Sequence, residues 1–165
     1  MERRLEPARL GDHLDRLYRA AWALCGSRED AEDLVQETYA RVLARPRFLR
    51  NEDDLGYLLT VLRNAFLTQK RTESRRLRPA PLPEHVELVA GPSAHEPETA
   101  LEAAELYSAI AALPHDFRDA LVAVDVTGLS YKEAARALGI REGTLMSRLY
   151  RARQQVVRRL DAVST

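Results

Sequence analysis

The sequence predicts an all-α protein, two small helical domains joined by a flexible linker. Three observations predict it. Apolar residues recur at three- and four-residue intervals through both halves of the 165-residue chain, the period of an amphipathic helix and not of a strand. Two of those runs follow a serine with an acid three positions later, a pairing that satisfies free amides at a helix N-terminus. Five of the eight prolines fall between residues 79 and 97, a stretch without helical period that reads as the linker. The resulting boundaries are 10–77 for the first domain, 78–100 for the linker and 101–161 for the second domain. At about 75 and 65 residues, each module is near the lower limit for folding alone.

In the first module, Leu14, Leu17, Tyr18, Ala21, Trp22 and Cys25 form an apolar stripe that stops at Gly26. Ser27 is the expected N-cap of the next helix, with Asp30 completing a capping box. That helix would bury Ala31, Leu34, Val35, Thr38 and Val42 and expose Asp30, Asp33, Gln36 and Glu37. RPRFLRNEDD interrupts the pattern. A longer helix is expected from about Leu55 to Arg76, with Leu58, Val61, Leu62, Ala65 and Phe66 inside.

In the second module, Leu106, Ile110 and Leu113 mark one helix, and Pro114 can open the next. Phe117, Leu121 and Val124 mark that helix, which Gly128 ends. Ser130 and Glu133 form a second capping box ahead of Tyr131, Ala134, Ala135 and Leu138. Gly139 stops this helix, Ile140 plugs the core, and a last helix runs from about Arg141 to Leu160.

Composition narrows the function classes. Formal net charge is zero, so bulk charge names no partner, but the charges are segregated. From Arg63 to Arg78 there are six basic residues and one acid; from Glu142 to Leu160 there are five arginines and one acid. Glu29 to Glu37 holds five acids and no base. Two separated basic patches are a footprint for nucleic acid. The single cysteine, Cys25, excludes an internal disulfide and a Cys-based zinc site. The four histidines are scattered without metal-ligand spacing, and there is no glycine-rich phosphate loop, so no metal, cofactor or enzyme activity is expected. MERRLEPARLGDHL resembles no signal peptide, and no run of about 18 apolar residues occurs. A cytoplasmic protein without membrane insertion is expected.

The C-terminal segment carries the sharpest pattern. Helix, glycine-containing turn and second helix form a helix-turn-helix, whose second helix can enter a DNA major groove. With Leu145, Leu149, Ala152 and Val156 inward, a turn of about 100° per residue points Ser147, Tyr150, Arg151, Gln154 and Arg158 outward and puts Met146 and Arg148 on the flanks. Arginine reads guanine bidentately, and serine and glutamine contact bases or phosphates.

The stretch ALPHDFRDALVAVDVTGLSYKEAARALGIREGTLMSRLYRAR resembles the C-terminal domain of bacterial sigma factors. SREDAEDLVQETYARVLAR followed by YLLTVLRNAFLTQKR resembles their domain 2. With these two blocks in order over about residues 10 to 160, the chain resembles an extracytoplasmic-function (ECF) sigma factor of the sigma-70 family. The resemblance implies a sigma domain 2 and a helix-turn-helix sigma domain 4. It also implies core RNA polymerase and promoter DNA as partners.

Carried over residue by residue, Asp33, Gln36 and Glu37 match the helix that binds the polymerase clamp. The loop Phe48 to Asp54 matches the one that captures a flipped −10 base, where Phe48 can stack and Asn51 can contact a base edge. Asn64, Lys70 and Arg71 follow on the −10 helix. Ser147, Tyr150 and Arg151 match the −35 contacts, with Arg148 a phosphate or supporting contact. The chain departs from the family at Tyr57, where tryptophan is common, and at Thr68, where aspartate is. No autoinhibitory extension is read ahead of the first domain, so the resemblance implies a separate anti-sigma factor, with the chain monomeric when free and one-to-one in complexes. A stand-alone helix-turn-helix regulator acting as a dimer is the rival reading. It leaves the acidic helix and the second basic helix unexplained, and no heptad pattern supplies a dimer helix.

Overall fold

The computed structural model of the chain describes residues 3–5, 7–44, 48–49, 53–75 and 97–164. A short helix α1 (Pro7–Leu10) and a 3-10 turn (Gly11–His13) lead into α2 (Leu14–Cys25), α3 (Arg28–Ala44) and α4 (Asp54–Arg75). These three long helices bury Leu17, Leu34, Leu58 and Leu62 completely. The residues expected inside α3, namely Ala31, Leu34, Val35, Thr38 and Val42, are all buried. Thr38 is tolerated there because its hydroxyl donates to the Leu34 carbonyl at 2.7 Å. Leu14, expected on the apolar stripe of α2, is instead 44% exposed. It lies in the first turn, ahead of Leu17, the first buried residue of the helix.

Caps set the boundaries of these helices. Gly26 ends α2 in the left-handed region. The Asp30 amide donates to Ser27 Oγ at 3.4 Å, a long contact at the expected cap of α3. Asp53 holds the start of α4, its Oδ1 accepting the Gly56 N–H at 2.9 Å. Burial pushes the Asp53 carboxyl above its ordinary range, and the Gly56 amide works against that shift. A two-residue antiparallel pairing joins β1 (Arg3–Arg4) to β2 (Phe48–Leu49), with Arg3 opposite Leu49 and Arg4 opposite Phe48. Strands this short carry no readable alternation, and the fold class remains all-α.

The second module comprises α5 (Pro97–Ala111), α6 (His115–Leu121), a π-helical segment (Val122–Val126), α7 (Tyr131–Leu138) and α8 (Glu142–Ser164). Helix α5 starts inside the stretch read as linker. Pro114 is the N-cap of α6, one position before the first helical residue. The π segment has no counterpart in the sequence reading. Its extra residue per turn is visible in the Thr127 amide, which reaches back five positions to the Val122 carbonyl at 3.0 Å. Leu145, Leu149 and Val122 form the centre of this core. Leu106, expected inside, is 38% exposed; Ile110, one turn later, is the buried contact of α5.

The capping box on α7 is complete. The Glu133 amide donates to Ser130 Oγ at 3.1 Å, and the Ser130 amide donates to Glu133 Oε1 at 3.0 Å. Hydrogen bonding of the Glu133 carboxylate to Ser130, by the hydroxyl first and the backbone amide second, lowers the Glu133 pKa. A lowered folded-state pKa contributes stability above the ordinary carboxylate range, and that stability is lost as pH falls through the folded value. Ser130→Ala is expected to destabilise the chain by about 0.5–2 kcal/mol, read from the urea midpoint at neutral pH. An unchanged midpoint would show that the box contributes nothing.

Candidate nucleic-acid interface

Helix α7, the turn at Gly139 and helix α8 form the predicted helix-turn-helix. Gly139 takes φ 67°, a left-handed conformation that other residues adopt only with strain, and so turns the chain within one residue. The Ile140 amide closes the turn on the Ala135 carbonyl at 3.0 Å. Leu145, Leu149, Ala152 and Val156 are buried as the helical period required, and Ser147, Tyr150, Arg151, Gln154 and Arg158 are exposed. Gln154 Nε2 donates to the Tyr150 hydroxyl at 3.0 Å, so two polar groups of this face hold each other.

The five arginines of α8 do not form one surface. Arg153 is bound bidentately by Asp125 of the π segment, at 2.9 Å from Nε and 2.8 Å from Nη2. Arg159 donates to the Ala112 carbonyl at 3.2 Å. Arg148 lies 3.7 Å from Asp116, with about a third of its side chain exposed. Arg151 has no acid paired with it among the described residues and stands beside Tyr150 and Ser147 on the outer face. Arg153 and Arg159 therefore hold α8 in place, while Arg151 is available to an anion. Asp125 is the residue that sequence reasoning missed here.

In the first module, Asn64, Thr68, Arg71 and Arg75 are exposed and follow one another at four, three and four residues, which places them along one face of α4. Lys70 is exposed beside them, 3.5 Å from Glu73 and with its ammonium 5.6 Å from the centre of the Phe66 ring. Phe48 belongs to β2, and Asn51 lies outside the described residues. Arg63, counted in the first basic patch, is instead committed inside the molecule, donating to Asp119 at 2.8 Å.

The acidic face of α3 is as expected. Asp33, Gln36 and Glu37 are exposed, and Glu37 accepts from Arg41 at 2.9 Å. A polar cleft of about 200 Å³, lined by Asp30, Asp33, Gln69 and Lys70 among others, runs from this face to α4. Cys25 also lines it, and burial, reinforced by Asp30, pushes its thiol up to about 12. The thiol is therefore neutral at physiological pH, the opposite of a nucleophile's environment. Iodoacetamide at pH 8 is expected to alkylate Cys25 more than about a hundredfold more slowly in the folded chain than in urea, because so little of it is thiolate. Equal rates in the two states would refute this shielding. Among the described residues there is no metal-binding cluster and no helix long and apolar enough to cross a membrane.

The Sigma-70 region 2 family matches residues 10–76, and the Sigma-70, region 4 family matches residues 103–156. The ECF RNA polymerase sigma factor SigE of Mycolicibacterium smegmatis is 37% identical over 147 residues, covering 87% of this chain. The chain belongs to the ECF sigma factors of the sigma-70 family. It spans 57% of the length of that SigE, and 74% of the ECF sigma factor EcfG of Rhodopseudomonas palustris, to which it is 36% identical over 82% of its own length. The structure of the sigma factor RpoE in complex with the anti-sigma factor NepR from Bartonella quintana superposes with a TM-score of 0.70. That match covers 93% of this chain and 95% of RpoE at 26% identity. In this sigma factor, region 2 holds the acidic face of α3 and the exposed stripe of α4, and region 4 holds the helix-turn-helix. Sigma factors are transcription regulators, and their region 4 is a DNA-binding element.

Proposed function

We propose that this sigma factor binds core RNA polymerase, directs it to promoters carrying −10 and −35 elements and helps to open the DNA. The observation that carries this reading is the joint exposure of three surfaces on one chain, one acidic and two basic. The acidic face of α3 (Asp33, Gln36, Glu37) takes the polymerase clamp. The stripe on α4 (Asn64, Lys70, Arg71), with Phe48 and Asn51 ahead of it, takes the −10 strand. The outer face of α8 (Ser147, Tyr150, Arg151), with Arg148 in support, takes the −35 duplex. The proposed boundaries are 10–77 for domain 2, 78–100 for the linker and 101–161 for domain 4.

The charge segregation follows from these roles. DNA demands cations and the polymerase surface is offered acids, so a neutral total is compatible with both. The protein acts in the cytoplasm as a monomer, without cofactor or catalytic activity of its own; nucleotide chemistry belongs to the polymerase. Control by an anti-sigma factor fits the likeness to RpoE, whose structure is a complex with one. Run-off transcription with purified core polymerase on a promoter library tests the proposal. Discrete transcripts that require this chain support it. Tight binding to duplex DNA without any polymerase binding would replace it with the stand-alone regulator.

A further inference from the structure

We propose that the cleft beside α5, the π segment and α8 binds a small amphipathic monocarboxylate, with the acid group on Arg19 and Tyr107 and the hydrocarbon chain against the second module. The cleft has a volume of about 300 Å³. Ile110, Leu121 and Val156, all buried, form its floor, and the exposed Leu106 and Val157 stand at its rim. A mostly apolar lining with a few polar groups is the composition of a small-molecule site.

The polar groups select the charge of the ligand. Three charged side chains line the cleft: Arg19, Asp125 and Arg153. Asp125 and Arg153 neutralise each other through two bonds of 2.9 and 2.8 Å. Arg19 of α2 is exposed and has no acid paired with it among the described residues; its Nε reaches the Asp15 carbonyl of its own helix at 3.5 Å. The uncompensated charge of the cleft is therefore positive. Tyr107 adds a donor. Its ring lies 4.7 Å from that of Trp22, centre to centre, and its hydroxyl has no hydrogen-bond partner among the described residues. Burial pushes the Tyr107 pKa up and the Arg19 guanidinium works against that shift, which places the cation near the phenol. A guanidinium and a phenolic O–H both donate to a carboxylate, and a half-buried hydroxyl without a partner gains most from such an acceptor.

Volume and lining set the rest of the ligand. At about 30 Å³ for each non-hydrogen atom the cleft holds about ten of them, the size of octanoate. A second acid group would lie against Ile110, Leu121 and Val156 without a partner, so the ligand is a monoanion. The site is also behind the DNA-reading face, because Arg153 is about 200° around α8 from Arg151. Occupancy is therefore compatible with the promoter role, and the proposal does not depend on that role.

Octanoate, octanol and octylammonium, titrated separately into the isotope-labelled full chain and followed by amide NMR shifts, test the site. Octanoate is expected to bind with a dissociation constant below about 1 mM and at least about tenfold more tightly than either analogue. Its shifts should centre on Tyr107, Ile110, Val126 and Val157. Arg19→Gln should bring octanoate down to the level of octanol, and Arg19→Glu should reverse the order in favour of octylammonium. Arg19 is exposed, so both variants should keep wild-type helical circular dichroism. Tyr107→Phe retains the ring against Trp22 and should weaken octanoate by about tenfold while leaving octanol unchanged. Absence of octanoate binding, equal binding of octanoate and octanol, shifts scattered over the whole surface, or an unchanged octanoate affinity in Arg19→Gln would overturn the site.

Discussion

Arg151→Ala is expected to cut promoter-specific transcription while leaving core polymerase binding unchanged. Arg151, like Arg158, stands on the outer face of α8 with no acid paired with it among the described residues, whereas Arg153 is forked by Asp125 and Arg159 is tied to Ala112. A bidentate arginine–guanine contact contributes about 1–3 kcal/mol of discrimination, roughly a five- to 150-fold loss in initiation at the cognate promoter. The salt dependence of DNA binding separates two forms of the contact. If Arg151 neutralises a phosphate, binding weakens on all sequences and the salt slope falls by about one; if it reads a base, the loss is confined to one −35 position. Arg153→Ala supplies the contrast. It removes the anchor to Asp125, so its effect should appear in thermal stability and leave the salt slope alone. Equal loss of transcription with an unchanged promoter preference in both variants would remove Arg151 from the reading face.

The difference between these two arginines shows where sequence reasoning reaches its limit. Everything that depends on local geometry was legible. The Ser130–Glu133 box, the Gly139 turn and the inward set Leu145, Leu149, Ala152 and Val156 are all within about one helical turn of the residues that explain them. The commitments of the basic residues were not legible, because their partners are remote in the chain. Arg153 finds Asp125 28 residues away, Arg159 finds Ala112 47 away and Arg63 finds Asp119 56 away. A count of local charge treats all of them as surface. Only the packing of the helices decides which are spent internally.

The same distinction explains the smaller differences. Periodicity identifies the apolar side of a helix but not whether another element covers all of it, hence the exposure of Leu14 and Leu106. The π segment adds one residue within five, a shift too short to disturb the apparent period of Phe117, Leu121 and Val124. The resemblance to sigma factors depended on residue identities over long blocks and was insensitive to such local shifts. It supplied the roles proposed for Asp33, Gln36 and Glu37, which the charge pattern alone presents only as a solvated acidic face.

Those acids carry the other large expected effect. The double charge reversal Asp33→Lys and Glu37→Lys should weaken binding to core polymerase by at least about tenfold and leave binding of −35 duplex unchanged. Both side chains are exposed on α3, so the substitutions create no cavity and bury no charge. Within the chain they remove the exposed pair in which Arg41 donates to Glu37 at 2.9 Å, an i,i+4 interaction of about 0.3–0.5 kcal/mol. A like charge at that spacing costs a similar amount. These costs are small beside the stability of a domain, so the variant should keep its helical circular dichroism. At a polymerase surface the balance is different. A charge pair desolvated by the partner loses about 2–5 kcal/mol when one member is removed, and reversal adds repulsion. Competition with labelled wild-type chain for core polymerase measures the weakening, and duplex binding measured in parallel reads the helix-turn-helix alone. If the reversal weakened both to the same degree, or if Arg151→Ala weakened polymerase binding as much, polymerase and −35 contacts would not be divided between α3 and α8.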